Sequence, residues 1–264
     1  MALLDIIGKA ANVPVYRILG GPTRNKVRGF TTAPFERATA AGYRVINIAL
    51  PAPAARNQGQ AYERDLRNLL EPLRKNGGDQ FDFVLDGAGL LTPGDAANVA
   101  MTIESTHPLW FDDPVAVANS QTIRKIADES VVPLGFGRGI TNPSMYQELL
   151  RESLIDILRP DISREGISGC RRIAAMAEPY YVAVAPRHDG GPIATVAAIH
   201  LAASLPNFFI QHIPLPDAEA DVRMRTDIVG APVERVHDGF AAIPTGPGLG
   251  INVDESALEK YHAA

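Results

Sequence analysis

Six short, nearly continuous apolar runs, FDFVLD (81–86), LWFDD (109–113), VPLGF (132–136), IDILRPD (155–161), YVAVAP (181–186) and FFIQH (208–212), end in or just before polar or charged residues. Runs of this length and β-branched content read as strands buried on both faces. KVRGFTTA (26–33) and RVINIAL (44–50) precede them and bring the predicted strands to eight. The stretches between carry helical signals. Thr92-Pro93 and Asn142-Pro143 each set a capping side chain before a proline suited to the first turn. Ile167, Cys170, Ile173, Ala174 and Ala177 recur on one helical face, and Ala2, Leu3, Ile6, Ile7 and Ala10 form an amphipathic stripe near the start. Alternation of strand and helix implies a parallel sheet.

The polar ends are regularly spaced. Asp86, Asp112, Arg138, Asp161, His188 and His212 follow one another by 26, 26, 23, 27 and 24 residues. One strand, one helix and two loops fill such a step, so the pattern predicts a (β/α) barrel with these side chains at the carboxyl ends of its strands, where barrel enzymes do their chemistry. Three places depart from regularity. Only PFERATAAGY lies between the first two strands, room for about two helical turns. Pro72 predicts an end or bend in the helix patterned over 60–74. GFAAIPTGPGLGINVDESALEKY, at the end, is rich in glycine and proline and is predicted to cross the surface.

Composition narrows the classes. A length of 264 residues matches one barrel of ~250 residues better than two domains. The net charge of −5 and the absence of a basic run argue against a nucleic-acid partner. Cys170 is the single cysteine, which excludes an internal disulfide and a paired-cysteine zinc site and fits a cytoplasmic protein. No apolar stretch reaches the ~20 residues of a membrane span, and Asp5 and the absence of a cleavage pattern argue against a signal peptide.

DIIGKAANVPVYRILGG, the stretch from Pro160 to Gly169, GPIATVAAIHLAASLPNFFIQ and PTGPGLGINVDE together resemble the mandelate racemase/muconate lactonizing enzyme branch of the enolase superfamily, in particular its acid-sugar dehydratases. The resemblance covers nearly the whole chain but does not extend to that family's N-terminal α+β cap, which this chain is expected to lack. It implies a (β/α)7β TIM-like barrel over 26–264, with 1–25 a remnant helix and linker. It also implies Mg2+ held by carboxylates ending the third, fourth and fifth strands, and abstraction of a proton beside a substrate carboxylate.

Several positions depart from that pattern. Asp86 and Asp112 stand at two of the metal-ligand positions, the second shorter than the usual glutamate, and Ala88 replaces a frequent asparagine. Arg138 stands at the third ligand position. A guanidinium offers five N–H donors and no acceptor, so it is expected to bridge Asp86 and Asp112 in the ion's place. No cofactor is expected on this reading; Mg2+ enters only if the family site survives in altered form. Asn47 and Ala49 replace two lysines, Arg187 replaces the usual histidine, His188 follows one residue late, and His212 replaces a glutamate.

Two functions are compatible with these positions. In one, the metal-dependent reaction is lost and the barrel binds a small carboxylate. In the other, a divergent acid-sugar dehydratase or racemase works through an enediolate, with His188 paired to Asp161 as base and Asn47, Arg138, Arg187 and His212 as substrate contacts. Gly190-Gly191-Pro192 reads equally as an anion-holding helix start or a plain turn. Tyr43, Tyr62 and His200 are assigned to packing. A homo-oligomer is expected, as is usual in the family.

Overall fold

The computed structural model describes residues 1–53, 55, 59–117 and 119–262. In chain order the elements begin with helices α1 (Ala2–Ala11) and α2 (Val15–Ile18), strand β1 (Lys26–Phe30), α3 (Phe35–Ala40), β2 (Val45–Ala49), α4 (Gln60–Gly77) and β3 (Asp82–Asp86). Next come α5 (Pro93–Ile103), β4 (Phe111–Asp112), α6 (Ser120–Glu129), β5 (Leu134–Phe136), α7 (Pro143–Arg151), β6 (Ile157–Leu158), α8 (Ile162–Ala177) and β7 (Ala183–Val184). The chain then forms α9 (Pro192–Ser204), β8 (Gln211–His212), α10 (Glu219–Val229), β9 (Phe240–Ala242) and α11 (Glu255–Tyr261). Each of the eight predicted strand runs contains a strand.

The chain divides into two compact units. The first comprises Met1–Tyr43, Asp161–Arg172 and Pro186–Ala264, and the second Arg44–Pro160 and Ile173–Ala185. The second unit is built on a six-stranded parallel sheet in sequential order from β2 to β7. Phe83, Val84, Leu85, Phe111, Leu134, Phe136 and Leu158 are buried along it, as parallel strands covered on both faces require. The predicted caps form as expected: Thr92 accepts a hydrogen bond from Asp95 N at the start of α5, and Asn142 accepts one from Ser144 N at the start of α7.

Helix α4 runs through Pro72 to Gly77, although an end was one of the two expectations there. A proline inside a helix costs ~3 kcal/mol. That cost is offset by burial of Leu66 and Leu70 and by Arg74, whose guanidinium donates to the carbonyls of Phe81, Thr106 and His107.

In the first unit β1 pairs in parallel with β8 and antiparallel with β9. Strand β9 corrects the expectation for the tail: GFAA is not a surface crossing but an edge of this sheet, with Ala241 buried. The PTGPGLG turn is likewise fastened down. Leu249 N donates to Asp5 Oδ1 at 2.8 Å, and Val15 N donates to Gly248 O at 2.8 Å. A side chain on Gly8 would meet the Gly248 backbone at 2.6 Å, so the two glycines permit this approach. Helix α1 therefore docks along its Gly8 edge, and its apolar stripe faces outward, with Leu3 77% exposed and Ile6 61% exposed.

Candidate functional site

In the second unit, parallel register sets Ala49 beside Asp86, Asp86 beside Asp112 and Asp112 beside Gly135. Partners in register point to the same face, so Asp86 and Asp112 are brought together at the strands' carboxyl ends. Arg138 Nη2 donates to Asp86 Oδ2 at 2.9 Å. Ala88 N donates to Asp86 Oδ1 at 2.8 Å, and Asn47 Nδ2 approaches Oδ2 at 3.4 Å.

The expected bridge by Arg138 is only half present. Asp112 is paired instead with Arg159, at 2.8 Å from Nη1 to Oδ2, and accepts Trp110 Nε1–H at 3.0 Å. The Arg159 guanidinium also lies 5.3 Å from the centre of the Trp110 ring. The sequence reading missed Arg159, although a signal existed. It is the charged residue that directly follows the apolar pair Ile157-Leu158, which makes it, like Asp86 and Asp112, a polar strand end.

Asp113, also missed, takes the next layer. It accepts Gly137 N at 3.0 Å and Arg138 N at 3.1 Å, fixing the loop from which Arg138 projects. Gly137 is compelled by packing, because a side chain there would fall 1.8 Å from Arg159 O.

Asp112 is 1% exposed, Asp113 2% and Arg159 5%. Burial pushes the Asp112 carboxyl up to about 7 against the opposing pull of Arg159, and Asp113 and Asp86 push it the same way. Burial also raises Asp113, against its backbone hydrogen bonds and Arg159. Three carboxylates thus face two guanidiniums.

Members of the superfamily generally use Mg2+. That ion asks for near-octahedral oxygen ligands at about 2.1 Å. Here the donor set does not fit: guanidinium N–H groups occupy one oxygen of Asp86 and one of Asp112, backbone N–H groups hold Asp113, and position 138 supplies donors only. Among the described residues no group of three or more His, Cys, Asp or Glu side chains is arranged to hold a metal ion.

Strand β7 ends at Val184, so His188, which belongs to the first unit, lies beyond the strand and strand alternation does not set its direction. His188 is fully buried, and neither ring nitrogen finds a hydrogen-bond partner among the described residues. Burial lowers its pKa, opposed by backbone groups of His212 and Gly190 and by Asp189 and Asp161. The expected hydrogen-bonded pair with Asp161 is not made. Asp161 caps α8 by accepting Ser163 N at 2.8 Å, and its backbone bridges that of Arg187. The His212 ring lies 5.7 Å from that of His188, with Nδ1 at 3.4 Å from His188 O, and packs on Phe30. Arg187 pairs with Asp189 at 2.7 Å.

The residues read as packing are structural. Tyr43 and Tyr62 donate to the carbonyls of Ile213 and Pro51. His200 Nδ1 accepts Tyr16 N at 3.3 Å, which leaves Nε2 to carry the proton toward Leu249 O at 3.1 Å. Gly191 caps α9 and Pro192 opens it.

Comparison with known proteins accounts for this architecture. Residues 32–257 match the family model described as Enolase C-terminal domain-like. A D-xylonate dehydratase of Haloferax volcanii is 28% identical over 99% of this chain and 68% of its own length. A D-galactonate dehydratase family member of Paenibacillus sp. is 30% identical over 97% of this chain and 69% of its own. The crystal structure of a mandelate racemase/muconate lactonizing enzyme from Sulfitobacter sp. aligns with a TM-score of 0.87 at 27% identity, over 99% of this chain and 70% of that one. The fold class is accordingly the (β/α)7β TIM-like barrel. With its strand order, its polar strand ends and these likenesses in agreement, the chain belongs to the mandelate racemase/muconate lactonizing enzyme branch of the enolase superfamily.

Proposed function

We propose that this chain does not use the Mg2+-dependent proton abstraction of its relatives and instead holds a small carboxylate of the sugar-acid class at Arg138. The observation that supports the proposal is that Asp86 and Asp112 each pair with a guanidinium of their own, Arg138 on Asp86 and Arg159 on Asp112. Arg138 spends one N–H group on Asp86, and its side chain is 41% exposed, so the rest of its fork is open to a carboxylate. Beside it, Asn47 Oδ1 is buried and has no donor among the described residues, which suits a ligand hydroxyl. Calorimetric titration with D-galactonate and D-xylonate in EDTA tests this reading. Binding should persist in EDTA and fall at least about tenfold in Arg138→Ala, the loss of one charge-assisted contact. Binding abolished by EDTA, or unchanged in the variant, rejects it.

A second reading is a divergent acid-sugar dehydratase or racemase, favoured by the names of the dehydratase relatives. His188, kept neutral by burial, would take the proton α to the carboxylate. The C–H electron pair would move into the carboxylate as an enediolate, with Arg187 and His212 as ligand contacts and Asp161 fixing the local backbone. In a dehydration the β-hydroxide would leave as water, carrying off the proton that His188 received. A sugar-acid library should then show turnover that survives EDTA and disappears in His188→Ala. Absence of turnover across the library counts against this reading.

A further inference from the structure

Away from the residues discussed above, the first unit carries a pocket of about 150 Å3, open to solvent, beside helix α10 and the segment that follows it. Its lining is mainly apolar, including Pro192, Leu215, Val222 and Val233. Two charged side chains interrupt it, Arg225 and Glu234. The Glu234 side chain is only 7% exposed. Its Oε1 accepts both Thr195 Oγ1 at 2.6 Å and Arg225 Nη1 at 2.9 Å. Oε2 makes no hydrogen bond among the described residues. Arg225 is shared, because its Nε also donates to Asp221 at 2.8 Å. Two carboxylates therefore share one guanidinium beside an apolar hollow, and Glu234 Oε2 is left for a further donor. Burial raises the pKa of Glu234, against the opposing pull of Thr195 and Arg225.

We propose that this cavity is a binding site for a small organic ammonium ion, with its nitrogen on Glu234 Oε2 and its apolar body against Pro192, Val222 and Val233. The size is adequate: an apolar cavity of about 150 Å3 accommodates benzene. Charge selects among ligands of that size. An ammonium group adds direct charge–charge attraction to its hydrogen bond with the carboxylate, which an alcohol donor lacks, whereas a carboxylate adds repulsion. The site is independent of the function proposed above, since none of its residues takes part in either reading.

Benzylamine titrated into the full chain and followed by two-dimensional NMR tests the assignment. Saturable shifts are expected around α10 and Glu234, with affinity of about millimolar or tighter and at least about tenfold weaker for benzyl alcohol. Benzoate should not bind. Glu234→Gln keeps an Oε1 acceptor for Thr195 and Arg225 and should weaken benzylamine at least about tenfold. Val222→Phe, at a position 42% exposed and so tolerant of substitution, should fill the hollow and abolish binding. Equal affinity for benzylamine and benzyl alcohol, an unchanged affinity in Glu234→Gln, or no saturable shift with benzylamine overturns the proposal. If Glu234→Gln does not fold, the ligand series and Val222→Phe decide.

Discussion

Trp110, Asp112 and Arg159 form a buried set in which each side chain meets the polar or π demands of another. Removing one member exposes the cost of the others. Arg159→Met leaves a carboxylate enclosed without its cation, and breaking such a pair typically costs about 3–5 kcal/mol. Urea unfolding followed by the fluorescence of Trp110, the single tryptophan, measures it directly; a loss below about 1 kcal/mol would show that the pair contributes little. The same set predicts a pH dependence. Asp112 has an ordinary value near 3.8 when unfolded and about 7 when folded, so between those values the folded protein binds more protons than the unfolded chain. Its contribution to stability is therefore full below about pH 4 and declines as pH rises to about 7, by up to about 1 kcal/mol per pH unit. Unfolding curves across that range should show this decline, and Asp112→Asn should flatten it.

At the scale of elements, short signals worked where the physics is local. Thr92 and Asn142 cap their helices because a side-chain oxygen reaches an amide two or three residues away, whatever the rest of the chain does. Thr92→Ala should lower stability by about 1 kcal/mol, read from the urea midpoint, while Thr92→Ser should retain most of it. The outcome was less predictable where an element depends on a distant partner. Pro72 argues for a break, but Arg74 reaches three carbonyls, two of them more than thirty residues along the chain. The stripe on α1 is correctly periodic, yet periodicity names a face without saying what covers it, and the close approach of Gly8 and Gly248 turned that face outward.

At the scale of the whole molecule, the arginine-held carboxylates predict indifference to magnesium. A ligand that binds the folded state at a thousand times its Kd stabilises by about 4 kcal/mol. A micromolar site would therefore raise the thermal midpoint clearly in millimolar Mg2+. No shift is expected for this chain, and a rise abolished by EDTA would contradict the assignment. Restoring an acidic ligand with Arg138→Glu should introduce a measurable response to Mg2+, because it removes a cation and adds two acceptor oxygens beside Asp86.

The alternation of strands and helices, the caps and the polar strand ends were determined by the sequence alone. Each is written in spacings of two or three to four residues, or in one repeat of about 25 residues. Asp86, Asp112 and Arg138 were legible for that reason. The tertiary structure alone decided which cation meets which carboxylate. Arg159 reaches Asp112 because parallel register and a glycine at 137 bring neighbouring strands together, and a guanidinium on a flexible stem has no partner encoded in its own neighbourhood. The same holds for β9, whose place beside β1 depends on a pairing more than two hundred residues apart. Local chemistry sets elements, but long-range register and close packing choose the contacts, and the character of this family member rests on those contacts.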